Sequence, residues 1–141
     1  MAAFFFAFKG SRVTFDSVFS IAPKENLRED KMNAADLKIM NSMPVIFWAK
    51  NEDGVYIFGN DTINEFGGGV VGKTDHELPW ADTADELVAH DKKVLAAGKP
   101  GYMHEFVHKS SKGEATLNVC KWPGELDGVR CTFGISFIIE D

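Results

Sequence analysis

The chain has 141 residues with 15 basic and 21 acidic side chains, a formal net charge of -6, 45% hydrophobic composition and 12 Phe. That length suits one domain with a sizeable core, and the acidic balance counts against nonspecific nucleic-acid binding, which depends on Lys and Arg neutralising phosphates. Cys120 and Cys131 make neither a disulfide framework nor a metal-type spacing, and no apolar run approaches the roughly 20 residues that span a bilayer.

Residues 2–8 are apolar, but no basic residue precedes them and no small-residue cleavage pattern follows, so they do not read as a signal peptide. Phe15, Val18, Phe19 and Ala22 recur at helical spacing and predict a short amphipathic helix interrupted by Pro23. A second helix is predicted over 24–41, with Leu27, Ala34, Leu37 and Met40 on its apolar side. Helices this short need a sheet or a partner chain to cover their stripes. Residues 1–42 are therefore expected to form an N-terminal helical extension for packing or homodimerisation.

From Pro44 the period changes to that of a strand. Residues 44–50 and 55–59 predict a hairpin across Asn51-Glu52-Asp53-Gly54, whose glycine can take positive φ. Asn60 and Asp61 are suited to cap a short helix through Phe66, which three glycines end. Thr74 and Glu77 stand in capping-box relation, as do Thr83 and Glu86 at the head of a helix over 82–97 that Gly98 and Pro100 close. Ala84, Leu87, Val88, Val94 and Leu95 form that helix's stripe, with Asp91 near its centre and His90 on its flank. Strands over 101–109, 114–122 and 129–139 complete the chain. The expected class is α+β, a five-stranded antiparallel sheet with helices on one face.

Residues 43–141 resemble a PAS domain of the kind found as the sensory input module of bacterial sensor kinases and related signalling proteins. The resemblance lies in Phe47–Tyr56 followed by Asn60, in Val71-Gly72-Lys73-Thr74-Asp75, in Asp91–Pro100 and in Cys120-Lys121-Trp122-Pro123. It implies a cytoplasmic two-component or similar signalling role. It further implies a small-molecule ligand between the sheet and the long helix, and a downstream effector domain or protein.

Strand alternation then nominates pocket residues. Leu117, Val119 and Lys121 share one face of their strand, and Cys131, Phe133, Ile135 and Phe137 share one face of the last. A lysine aligned with apolar residues is either paired inside, with Asp91, Glu105 or a ligand acceptor, or it snorkels to water at the sheet's end. Trp48, Tyr56, Phe58, Phe66, Trp80, Phe106 and Phe133 either wall a pocket with Leu87 and Ile135 or simply fill the core. No cofactor is required. His90 offers a haem ligand by its place on the long helix, though a flank histidine is ordinarily a solvated side chain. No nucleophile, base and orienter occur together, so catalysis within the chain is not expected. The leading function is ligand sensing relayed to an effector; the alternatives are a ligand-free dimerisation module and a haem-based gas or redox sensor.

Overall fold

The structure is a computed structural model and describes residues 31–139, together with the backbone of two strands nearer the N-terminus. The chain divides into two compact units, Met1–Asp30 and Lys31–Asp141. In the first, β1 (Phe5–Phe8) and β2 (Ser11–Thr14) pair antiparallel with Phe5 opposite Thr14. The helix expected over 15–22 lies outside the described residues, as does the first part of the helix expected over 24–41.

What is described of that second helix is a 3-10 helix, Asp36–Ser42. Asn33 explains the late start: its side chain accepts from the Ala35 and Asp36 amides, and Asp36 accepts from the Asn33 amide. This reciprocal cap begins a new turn instead of continuing an older one, and Pro44 restrains its extension. Leu37 and Met40 of this segment pack on the sheet, so residues 31–42 belong to the second unit rather than to a separate extension.

The second unit is α+β. Its sheet holds β3 (Ile46–Asn51), β4 (Tyr56–Gly59), β5 (Gly101–Val107), β6 (Ala115–Leu126) and β7 (Val129–Ile139) in the order β4-β3-β7-β6-β5. Every neighbouring pair is antiparallel. The helices α1 (Asp61–Gly67) and α2 (Ala84–Ala97) come between β4 and β5 in the chain. Asn60 caps α1 and ties it to the sheet: its oxygen accepts from the Ile63 and Phe47 amides, while its amide donates to the Met40 and Val45 carbonyls.

Three local differences from expectation have simple causes. Strand β6 runs through Pro123 because β5 pairs no further than Gly101 opposite Lys121, so the proline sits where no ladder bond is needed on that side. The following turn is the two-residue Asp127-Gly128, both at positive φ, as tight hairpins of this hand require. At the head of α2, a 3-10 turn (Ala81–Thr83) draws the Thr83 hydroxyl to the Trp80 carbonyl, so the second capping box does not form. The first does: the Thr74 amide and hydroxyl both donate to Glu77.

The sheet carries apolar packing on both faces. Ile46, Trp48, Tyr56, Leu117 and Val119 form an inner core with Ile63, Phe66, Trp80 and Leu87, while Phe47, Ala49, Cys131 and Phe133 form an outer core with Leu37. On β7 the bulky side is the outer one. The inner side carries Thr132, Gly134 and Ser136, small enough for the Trp48 indole to lie directly on Gly134. No helix among the described residues is long and apolar enough to cross a membrane.

Candidate ligand-binding site

Polar side chains converge beneath α2 at the inner face of the sheet. The stripe Ala84, Leu87, Asp91 and Val94 faces inward, which points a carboxylate into the core. Lys50 reaches it from β3 and Lys121 from β6; both lysines are fully buried, at 1% and 0% exposure. Lys50 Nζ lies 2.5 Å from Asp75 Oδ2 and 2.9 Å from Asp91 Oδ2. Lys121 Nζ lies 2.7 Å from Asp91 Oδ1, 2.5 Å from Glu105 Oε1 and 3.3 Å from the Leu87 carbonyl. His90 Nδ1, on the half-buried flank of α2, stands 2.9 Å from the same Glu105 oxygen. At the other end, the Tyr56 hydroxyl and the Trp80 indole N–H both donate to Asp75 Oδ1, at 2.8 and 3.0 Å. The result is a line of alternating charges from Asp75 through Lys50, Asp91 and Lys121 to Glu105, with His90 at its outer end.

Burial opposes every charge in this line, and proximity of opposite charge answers it. For Lys50, burial disfavours the ammonium, but the carboxylates of Asp91 and Asp75 outweigh it and hold its pKa above the ordinary lysine value. Burial and Asp75 raise the Tyr56 phenol well above its usual 10.0 against the pull of Lys50, so it is a neutral donor. Asp91 is pushed up by burial and pulled down further by Lys50 and Lys121, leaving it below its ordinary 3.8.

A pH dependence follows. A carboxylate with a lowered folded pKa stabilises the fold above its unfolded value, and that contribution is lost as pH falls toward the folded one. Urea titrations are expected to show stability declining below about pH 4, and declining less over that window in Asp91→Ala. Equal acid sensitivity in both proteins would remove Asp91 as the source.

Beside the charges lies an internal cavity of about 30 Å³. Ile46, Trp48, Ile63, Phe66, Trp80 and Leu87 make most of its wall, and Lys50, Tyr56 and Glu105 border it. Of the residues nominated from sequence, Trp48, Tyr56, Phe66, Trp80, Leu87 and Glu105 therefore meet around one space. Val119, Asp91 and Lys121 occupy the same inner layer without lining it.

Phe58, Phe133 and Ile135 are on the opposite face. For Phe58 the cause is a bulge: the register shifts between Ala49 and Lys50, so Tyr56 pairs with inward Lys50 and Phe58 with outward Ala49. For β7 the choice of face was reversed, because the small side has to accommodate Trp48. Lys121 does not snorkel; it takes the internal pairing. His90 is not on the cavity wall and is engaged by Glu105, and a space of about 30 Å³ does not suit a porphyrin, so these residues do not fit a haem site.

Lys50 and Asp75 were not singled out by sequence, although Lys50 shares a strand face with Ile46 and Trp48, the same signal that marked Lys121. Asp75 sits in a short capped turn that carries no periodicity, so nothing local announces its burial.

The order of the strands and the placing of α1 and α2 on the sheet have counterparts among solved structures. VqmA of Vibrio cholerae superposes with a TM-score of 0.65 at 18% identity, covering 78% of this chain and 54% of that one. The PAS domains of Bordetella pertussis BvgS and of an HTR-like protein from Haloarcula marismortui each give 0.58, at 16% and 15% identity, with 76% and 74% of this chain and 86% and 90% of theirs covered. The chain has the PAS fold. It spans about half the length of the VqmA chains it matches. No protein-family model and no curated protein matches the sequence. In this PAS fold the charged line and the cavity occupy the layer between sheet and α2, and the outer face is partly covered by residues 36–42.

Proposed function

We propose that the chain is a sensory rather than catalytic PAS module, which binds a small molecule in the inner cavity and relays its occupancy to an effector or partner. The observation that carries this reading is the cavity itself, an aromatic-walled space bordered by buried polar groups. VqmA, similar in fold, is known bound to DPO and as a dimer. Structures of VqmA also include a DNA complex, which runs against the expectation, drawn from the acidic balance, of no nucleic-acid partner; that expectation is not retained.

At about 30 Å³ the cavity holds roughly two water molecules. Any larger ligand must move the rings of its wall, and those rings are packed against α1, α2 and the sheet. Entry would therefore select between two packings, and only a difference in affinity for two states can transmit a signal. The same small volume favours a second reading, a ligand-free module that dimerises through its N-terminal residues. Native mass spectrometry of the full chain separates them. Sensing predicts a retained small-molecule mass that is lost on denaturation, whereas a protein bare after gentle purification, and indifferent to added cell extract in thermal melting, leaves the interaction module.

A further inference from the structure

The two buried lysines invite the reading that this pocket takes an anion. The geometry points the other way: we infer that the ligand is a small planar molecule without negative charge, which accepts a hydrogen bond from the Trp48 indole and donates one to Glu105. This rests on the reading of the cavity as a ligand site and narrows its chemistry.

Three observations support it. First, the lysines are already engaged. Lys50 meets Asp75 and Asp91 and lies 4.7 Å from the Tyr56 ring centroid. Lys121 meets Asp91, Glu105 and the Leu87 carbonyl. Lys121 thus has three oxygen partners for its three N–H donors, and Lys50 has two beside the Tyr56 ring, so an incoming anion would meet carboxylates already in place.

Second, three carboxylates (Asp75, Asp91 and Glu105) face two ammonium groups, so these five side chains already hold more negative than positive groups. A further buried negative charge would add repulsion to its own desolvation.

Third, two residues of the wall each carry a polar atom without a partner. The Tyr56 hydroxyl and Trp80 N–H are spent on Asp75. The Trp48 Nε1, by contrast, is buried without an acceptor. Glu105 turns Oε1 to both Lys121 and His90, and its other oxygen takes no hydrogen bond or ion pair among the described residues. An unsatisfied buried donor is a cost that a ligand acceptor removes, and a site built this way rejects molecules that cannot make the bond. The surrounding tryptophan, tyrosine and phenylalanine rings favour a flat body.

Benzamide, benzamidine and benzoate test this, because they share a ring and a three-atom head group and differ in charge and donors. The effort of opening the cavity is common to all three and cancels in the comparison. Binding to the full chain is measured by ligand-observed NMR and calorimetry. Benzamide is expected to bind about tenfold or more tightly than benzoate, and benzamidine, which has donors but no acceptor, to fall between them. In Trp48→Phe, the preference for benzamide over toluene is expected to fall about threefold or more. Benzoate binding as tightly as the other two overturns the charge assignment while leaving the site. An unchanged benzamide preference in Trp48→Phe overturns the indole's part. Binding of none of the three, with no small molecule retained on purification, overturns the ligand-site reading and this inference with it.

Discussion

Asp91→Ala is expected to destabilise the domain by about 3–5 kcal/mol, the range for breaking a buried ion pair by removing one partner. Asp91 is the single carboxylate shared by both buried lysines, one on each of its oxygens. Its loss leaves Lys50 with Asp75 and Lys121 with Glu105, each in a site that excludes water, and it opens space beneath α2. Asp91→Asn preserves the shape and is expected to lose less, since the amide oxygen can still accept from one ammonium group. Urea denaturation of the three proteins checks this. A loss under about 1 kcal/mol for Asp91→Ala would mean that water reaches the lysines, as it does at an exposed pair. The same argument changes what Lys121→Ala should do. From sequence, Lys121 is a candidate partner for a ligand acceptor; with Asp91 and Glu105 at 2.7 and 2.5 Å, its removal takes a cation from two buried carboxylates and is a folding defect first.

Gly134→Ala should be nearly as damaging, although it adds a single methyl group. A Cβ on Gly134 would stand 2.2 Å from Trp48 Cζ2 and 2.3 Å from Cε2, closer than any side chain tolerates. Trp48 is 4% exposed and packed in the inner core, so its rigid ring has to shift bodily toward the cavity. Overpacking of this kind costs about 1–3 kcal/mol or more. The effect should be non-additive with Trp48→Leu, which removes the clashing ring: the double variant is expected to lose less than the two single losses together. Additive losses would show that the glycine is needed for its backbone and not for the ring above it. Because the displaced ring enters the cavity, Gly134→Ala should also weaken binding of any ligand held there.

Most of the fold could be read from the chain because its signals are local. Period-two runs, the Asn60 cap, the glycine stops and the capping box at Thr74 act over a few neighbouring residues, and each appears in the structure. The boundaries that moved did so for reasons that need a neighbour. Pro123 is tolerated in β6 because β5 stops short of it, and Thr83 bonds backward because a turn precedes it.

The candidate site was half legible. Alternation set Leu117, Val119 and Lys121 on one face and Trp122 on the other, and helical spacing put Asp91 at the centre of its stripe. It did not tell which face of a strand meets the helices. On β7 alternation nominates the apolar side as the inner one, yet Phe133 and Ile135 lie outside under Leu37 and Met40. A bulge of one residue carried Phe58 to the outer face as well.

The sequence by itself determined the composition of the site: which residue types alternate, and where a lysine and an aspartate interrupt apolar stripes and so become candidates for burial. Tertiary structure alone decided the partners and the facing. A strand's two faces are chosen by what can be packed against each, and the Trp48 ring required the face of Gly134 with no side chain. Lys50, Asp75, Asp91, Lys121 and Glu105 come from distant parts of the chain, and no local rule pairs them. They are brought into one line because a charge shut away from water is stable only beside its opposite.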